Sequence, residues 1–373
     1  MDHRKRKGGA EKTRIKKKKA LETDATKCCK LSTFVLKTTN EDDETAALQQ
    51  QQPQVLFAAN REEPGPLPCS SHEPTTPEWA GMDRLLKKCC IRSSLVKKCL
   101  AECLGVFIII LFGCGSVAQV TTSENKNGQY LSINLGFALG TTFGIYVSRG
   151  VSGAHLNPAV TLSLCFLGRH PWFHLPFYVF SQVLGAFLGA ATVALQYYDA
   201  IMFFGGGKLT VTGPTATAGI FSTYPADYLS LWGGVIDQVI GTAALLVCVL
   251  ALGDRRNSPA PPGLEPVLVG AVILCIGVSM GSNSGYSLNP ARDLGPRLFT
   301  YIAGWGGEVF SAGDGWWWVP LVATNIGALV GTLIYELVIE VHHLEPGPSS
   351  EPPGLDMNAE GKHVGQSWRA NQT

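Results

Sequence analysis

Residues 152–159 read SGAHLNPA and residues 284–291 read SGYSLNPA, two octapeptides that agree at six of eight positions. Their turn chemistry decides the fold. Asparagine is a preferred helix N-cap, and proline is favoured at the first helical position, where its missing N–H costs nothing. Residues 158–167 and 290–300 are therefore expected as helices of about ten residues, ~15 Å long. Each would reach halfway through a hydrocarbon core of ~30 Å.

The surrounding sequence belongs in a bilayer. Of 373 residues 46% are hydrophobic and only 16% charged, with a net charge of +1, a balance poor in charge for a soluble protein. Uncharged stretches run over 103–123, 127–148, 175–198, 238–253, 266–291 and 315–335. A spanning helix needs ~20 apolar residues, so most of these can cross as they stand. The stretch at 238–253 has to borrow apolar residues from before Asp237, and 266–291 runs on into the second octapeptide. Six core helices of a large soluble domain would not explain so few charges between them.

Lysine and arginine placement gives the orientation. Arg84, Lys87, Lys88, Arg92, Lys97 and Lys98 precede the first span, Arg149 and Arg169 fall in the second connection, and Arg255 and Arg256 in the fourth. Residues 121–130 carry only Lys126 and residues 199–230 only Lys208, so those connections are expected outside. Both termini are then cytoplasmic in a multi-pass protein of the cell membrane. Residues 1–30 hold no apolar core of the secretory-signal kind.

Three spans per half is an odd number, so the second half enters the membrane from the opposite face. The expected fold is an all-α membrane protein: six transmembrane helices plus two re-entrant half-helices, in inverted repeats at about 97–200 and 230–340. The half-helices would enter from opposite faces and meet near the midplane with their positive dipole ends opposed. Non-helical backbone at that depth is tolerated only when buried in protein or lining a water-filled cavity. The duplicated turn thus predicts a pore.

The paired NPA boxes, AECLG at 101–105, GAHLNPAVT and NSGYSLNPARDLGPRLF resemble the aquaporin family over roughly residues 84–346, and Asp293 directly after NPAR is similar to its aquaglyceroporin branch. The resemblance implies a passive channel for water and small uncharged solutes, chiefly glycerol and also urea. It implies exclusion of protons and ions, and a homotetramer in the lipid bilayer with one pore per chain. It implies no enzyme activity, no cofactor, no metal and no nucleic-acid partner. Carried over, Asn157, Pro158 and Ala159 with Asn289, Pro290 and Ala291 form the midplane, each asparagine capping its half-helix and donating to the permeant oxygen. Either asparagine alone would read as an ordinary N-cap. The outer constriction maps to Phe137, Gly277, Tyr286 and Arg292. Alone, Phe137 would read as core and Arg292 as a solvated loop charge, although an intramembrane cation is a functional candidate. Water-selective relatives hold histidine at the position of Gly277, so glycine is expected to leave room for glycerol, with solutes much bulkier than glycerol excluded by Phe137 and Tyr286.

Glu102 and Asp237 open the first span of each half, and the resemblance makes them supports for the re-entrant backbone; a proton relay is the alternative. His155, the titratable residue of the first octapeptide, is a candidate pH-sensitive gate acting over roughly pH 5.5 to 7.5. Its alternative is a packed ring whose backbone carbonyl serves the pore.

Residues 1–83 read as a disordered cytoplasmic tail, with ten Lys or Arg in the first nineteen positions, then EDDE and QQQQ; residues 347–373 read as a second such tail. Met82 opens a segment that resembles a usual start for this family. None of the eleven cysteines falls in the outer connections, so no structural disulfide is expected, and Cys89 and Cys90 beside Lys87 and Lys88 suit palmitoylation. Rival readings are a water-selective channel, a secondary transporter, which would put coupling carboxylates at the midplane, and an ion channel, which Arg292 opposes. An enzyme reading rests on GGGKLT at 205–210, which lacks phosphate-loop spacing.

Overall fold

The computed structural model describes residues 90–344. Both tails, and Cys89 with them, lie outside those residues, while Cys90 is exposed. The helices are α1 (Ser94–Thr122), α2 (Tyr130–Ser152), α3 (Pro158–Phe166), α4 (Leu175–Gln196), α5 (Tyr198–Phe204), α6 (Leu231–Gly253), α7 (Glu265–Met280), α8 (Pro290–Thr300), α9 (Glu308–Gly315) and α10 (Val319–Val338). Serines start two of the long ones: Ser93 caps α1 by accepting from Val96 N, and Ser230 caps α6 by accepting from Gly233 N. Prolines occupy the first turn of α4, α7 and α10, where no N–H is needed.

Among the described residues five helical stretches are long and apolar enough to cross a membrane. The sixth, α7, has 16 residues. That is ~24 Å of helix, short of the core thickness. The uncharged run at 266–291 therefore splits into two parts. Its first part is helix to Met280, and residues 281–289 are the non-helical lead into the second octapeptide.

Helix packing repeats in the two halves. In the first, α1 packs on α2 and α4; in the second, α6 packs on α7 and α10. The half-helices exchange partners, α3 lying against α10 and α8 against α4, so neither half is complete without the other. Small residues allow this closeness. A Cβ on Gly185 would lie 2.1 Å from the carbonyl oxygen of Cys103, and one on Gly327 would lie 2.4 Å from that of Val239. One turn further on, a Cβ on Gly189 would crowd the Phe107 carbonyl oxygen and one on Gly331 that of Ala243. Helix pairs in a membrane lack a hydrophobic drive towards one another and rely on such backbone approach. At the end of the molecule that carries Arg169, that residue bonds Glu336 and Glu340, and Arg256 bonds Glu340, tying the segments after α3 and α6 to the end of α10.

Gly327→Leu should lower the thermal midpoint and the yield of monodisperse protein, because the backbone of α6 cannot yield and overpacking costs ~1–3 kcal/mol or more. Gly150→Ala, at a position open for 4 Å around, should leave both unchanged. Thermal unfolding of the two variants in one detergent compares them.

Candidate functional site

The two octapeptides fold alike. Gly153, Ala154 and Leu156 have φ of 90°, 56° and 53°, and Gly285, Tyr286 and Leu288 have φ of 79°, 41° and 55°. Left-handed backbone costs an L-residue about 1–2 kcal/mol, so four such non-glycine residues need a structure that holds them.

Hydrogen bonds across the junction supply the hold. Asn157 accepts from Ala159 N at 2.8 Å through Oδ1, and its Nδ2 donates to the Leu288 carbonyl at 2.9 Å. Asn289 accepts from Ala291 N at 3.0 Å and Arg292 N at 3.3 Å, and its Nδ2 donates to the Leu156 carbonyl at 2.8 Å. Pro158 and Pro290 open the half-helices, and Ala159 and Ala291 are fully buried behind them. A carboxamide nitrogen has two hydrogens. One of each pair is spent on the opposite loop, which leaves one per asparagine for the cavity that both line.

Behind the first turn the carboxylate of Glu102, fully buried, accepts from His155 N at 3.0 Å, Leu156 N at 2.6 Å and Gln182 Nε2 at 2.9 Å. The second turn is supported differently from the sequence expectation. Asp237 takes side chains, Asn283 Nδ2 at 2.8 Å and Ser284 Oγ at 2.7 Å, and it is Gln238 that accepts from the Leu288 backbone, at 3.3 Å. Aligning the halves on Gly105 and Gly241, which press on Leu156 and Leu288 respectively, pairs Glu102 with Gln238 and was the signal available.

Of the four residues expected at the constriction, Phe137, Tyr286 and Arg292 come together on the cavity wall, with Gly277 behind the Tyr286 ring. Phe137 and Tyr286 stand edge to face with centroids 6.3 Å apart, and the Arg292 guanidinium lies 4.7 Å over the Phe137 ring. Arg292 Nη1 donates to the Phe221 carbonyl at 2.8 Å, a partner that no sequence motif announced. Gly277 is placed otherwise than expected. It does not line the cavity, because the room it leaves is filled: a Cβ there would lie 2.9 Å from both Asn134 Oδ1 and Tyr286 Cζ. The glycine seats the Tyr286 ring rather than opening the lumen directly.

Asp293 faces away from the cavity. Its carboxylate accepts from Arg297 Nε at 2.9 Å and Nη2 at 2.7 Å, and from Thr223 N at 2.7 Å. Arg297 also donates to the carbonyls of Val309 and Thr223, at 2.7 and 2.6 Å. This buried pair therefore fastens the segment that ends in Phe221–Thr223, and through Phe221 it fixes Arg292. His155 is half-buried, its Nδ1 3.3 Å from Thr161 Oγ1 and its ring 4.6 Å from that of His170 and 5.0 Å from that of Tyr178. In the connection outside the spans, burial, then His174 and Lys98, hold His170 below the ordinary histidine range.

A cavity of about 270 Å³ joins these parts, running from Phe137, Tyr286 and Arg292 past Asn157 and Asn289 to His155, Arg149, Arg169 and Glu265. Most of its lining is apolar, with donors at two levels. The GGGKLT stretch is a turn after α5 with no helix following directly, so it presents no helix N-terminus to a phosphate. Among the described residues no cluster of His, Cys, Asp and Glu suits a metal ion.

The Major intrinsic protein family model matches residues 90–335. Among curated proteins the chain is 55% identical over 262 residues to aquaporin-10 of Homo sapiens, covering 70% of this chain and 87% of that one. It is 54% identical over 271 residues to aquaporin-9 of Homo sapiens, covering 72% and 92%. Among solved structures, that of the aquaglyceroporin from Plasmodium falciparum superposes with a TM-score of 0.61 at 33% identity, covering 67% of this chain and 98% of that one.

Asp293→Ala would leave Arg297 buried without its counter-charge, a loss of about 3–5 kcal/mol. Expected results are a sharply lowered thermal midpoint and, in any protein recovered, loss of protection from proteolysis in the segment around Thr223. Limited proteolysis with mass mapping reads the second effect directly.

Proposed function

This chain belongs to the major intrinsic protein family, and we propose that it is a passive membrane channel for water and glycerol in which two levels of one cavity divide the work. At the midplane, Asn157 and Asn289 each offer one free amide hydrogen to a permeant oxygen. A water or hydroxyl that accepts from both cannot relay a proton through that point, and a cation meets two positive helix ends. The crossed asparagine bonds inside a continuous cavity carry this reading. At the constriction, Phe137 and Tyr286 give an apolar wall and Arg292 supplies donors, which suits a solute with hydroxyls on one side and C–H on the other. Glycerol has that form, and urea is a further solute of fitting size and polarity. Glu102, Gln238, Asp237 and Asp293 hold the backbone and take no part in conduction.

The assembly proposed is a homotetramer with one pore per chain. Leu131, Leu135, Leu139 and Phe143 form an exposed apolar row along α2, available to a second copy or to lipid. The membrane proposed is the cell membrane, with both termini cytoplasmic. A secondary transporter fits less well: the acid lining the cavity among the described residues is Glu265, far from the midplane and bonded to Arg149.

At the cytoplasmic mouth we assign His155 a gating role. Protonation would place a charge among His170, Tyr178 and Thr161 and change the loop that carries the Leu156 carbonyl. The group is neutral at higher pH and charged at lower pH. Burial, then His170 and Lys98, hold the His155 imidazole below the ordinary histidine value of about 6.5, so the response is expected on the acid side of that value.

Stopped-flow light scattering on proteoliposomes should show glycerol and water flux without ion current. Gly277→His should reduce glycerol flux roughly tenfold more than water flux, since the new ring must displace Tyr286 towards the lumen, and methylene-scale size differences discriminate by about that factor. Equal loss of both fluxes would remove Gly277 as a determinant of size. Glycerol flux should also change as the cytoplasmic-side pH falls below neutrality, with water flux changing less, and His155→Ala should abolish that dependence. A response that survives the substitution, or follows only the outer solution, would sink the gate.

A further inference from the structure

The phenolic hydroxyl of Tyr286 is turned away from the cavity. It donates at 2.6 Å to Oδ1 of Asn134, a residue of α2 that is 1% exposed and not part of the cavity lining. The Nδ2 of Asn134 has no partner among the described residues, so its carboxamide is buried for the sake of one bond. Burying an amide with half its capacity unmet is costly. An apolar side chain of the same size would fill the space more cheaply, so the position has a use beyond packing. Gly277 completes the arrangement, because any side chain there would collide with both Asn134 and Tyr286.

Tyr286 also needs an external hold. Its φ of 41° lies in a region that aromatic residues seldom adopt, so the usual backbone constraints do not place the ring. We propose that Asn134 is a positioning residue that sets the solute preference of the channel, by pinning the Tyr286 ring against Gly277 with its hydroxyl outside the lumen. Two properties follow. The constriction keeps the width of a seated ring, and its Tyr286 face is purely apolar. Without the acceptor, the hydroxyl would be buried and unpaired, and the ring would turn towards the water and the guanidinium of Arg292 in the cavity, narrowing the path for glycerol before that for water. The inference rests on the assignment of Tyr286 to the constriction.

The test measures glycerol and water permeability of full-length protein in the same proteoliposomes, per channel reconstituted. Asn134→Leu keeps the volume and removes the acceptor; a net hydrogen bond of this kind biases a side-chain equilibrium by roughly two- to tenfold, and the glycerol-to-water ratio should fall by that factor. Asn134→Val removes the same acceptor with a smaller side chain and should lower the ratio in the same direction, which keeps the test alive if Asn134→Leu does not fold. Tyr286→Phe, which has no hydroxyl to turn inward, should relieve the effect of Asn134→Leu when the two are combined. Tyr286→Ala placed in the Asn134→Leu background should restore the ratio to that of Tyr286→Ala alone, a rescue that mere loss of packing would not give. An unchanged ratio in Asn134→Leu or Asn134→Val, or a failure of the rescue, would overturn the proposal. Tyr286→Ala by itself separates the two claims: if it leaves glycerol flux untouched, Tyr286 is not at the constriction, whereas if it changes that flux while Asn134→Leu does not, only the tether is wrong.

Discussion

Everything in this molecule is arranged around two crossed hydrogen bonds, Asn157 Nδ2 to the Leu288 carbonyl and Asn289 Nδ2 to the Leu156 carbonyl. They join the N-termini of two half-helices whose dipoles repel. Each asparagine acts on three groups at once: it caps its own helix, ties the opposite loop and keeps one hydrogen for the cavity. The left-handed residues before each asparagine are what aim the loop carbonyls at their acceptor positions. That geometry is strained and survives because the spans on either side enclose it. The exchange of partners, α3 with α10 and α8 with α4, makes the enclosure mutual.

The two halves solve the problem of burying this junction with the same parts in transposed places. In the first half the fully buried acid is Glu102 on the spanning helix, and the position after NPAV is Thr161. In the second half the spanning helix offers neutral Gln238, and the position after NPAR is the fully buried Asp293. Glu102 is surrounded by neutral donors and supports the turn directly. Asp293 is matched with Arg297 and acts at a distance, through Thr223 and Phe221 upon Arg292. The repeat is therefore symmetric in backbone and asymmetric in charge. Among the described residues only the second half carries a cation to the proposed constriction, and only that half has a buried ion pair behind it.

Much of this was legible in the sequence because the decisive signals are local. An Asn-Pro step states a helix start whatever surrounds it, and uncharged stretches state their length. The start of each half-helix could be read from these, and the end of the second, Thr300, as well. What was not legible depended on which side chain fills a space left by another. Gly277 reads as an opening, but nine residues later the same chain supplies Tyr286 to close it. Asp237 reads as the partner of Glu102 because both are acids, whereas the packing glycines Gly105 and Gly241 put the register one residue on. The Phe221 carbonyl carries no side-chain signature at all. The uncharged run at 266–291 hid a helix end, since its second part, GSNSGYSLN at 281–289, is polar without carrying a charge.

Selectivity for an uncharged polyol needs a wall that is apolar on one side and donating on the other, with neither face free to turn. At the proposed constriction each group is held by a contact outside the lumen. Arg292 spends one of its five donors on Phe221 and rests its plane over Phe137, so the remaining donors keep a fixed direction. Tyr286 spends its hydroxyl on Asn134 and shows only its ring. A flexible cation would solvate any anion that approached, and a free phenol would bind water in competition with the solute. Held in this way, the guanidinium opposes cations by charge while the rings refuse the hydration shell that any ion must bring. The solute that loses least on entering is one whose own C–H groups need no water.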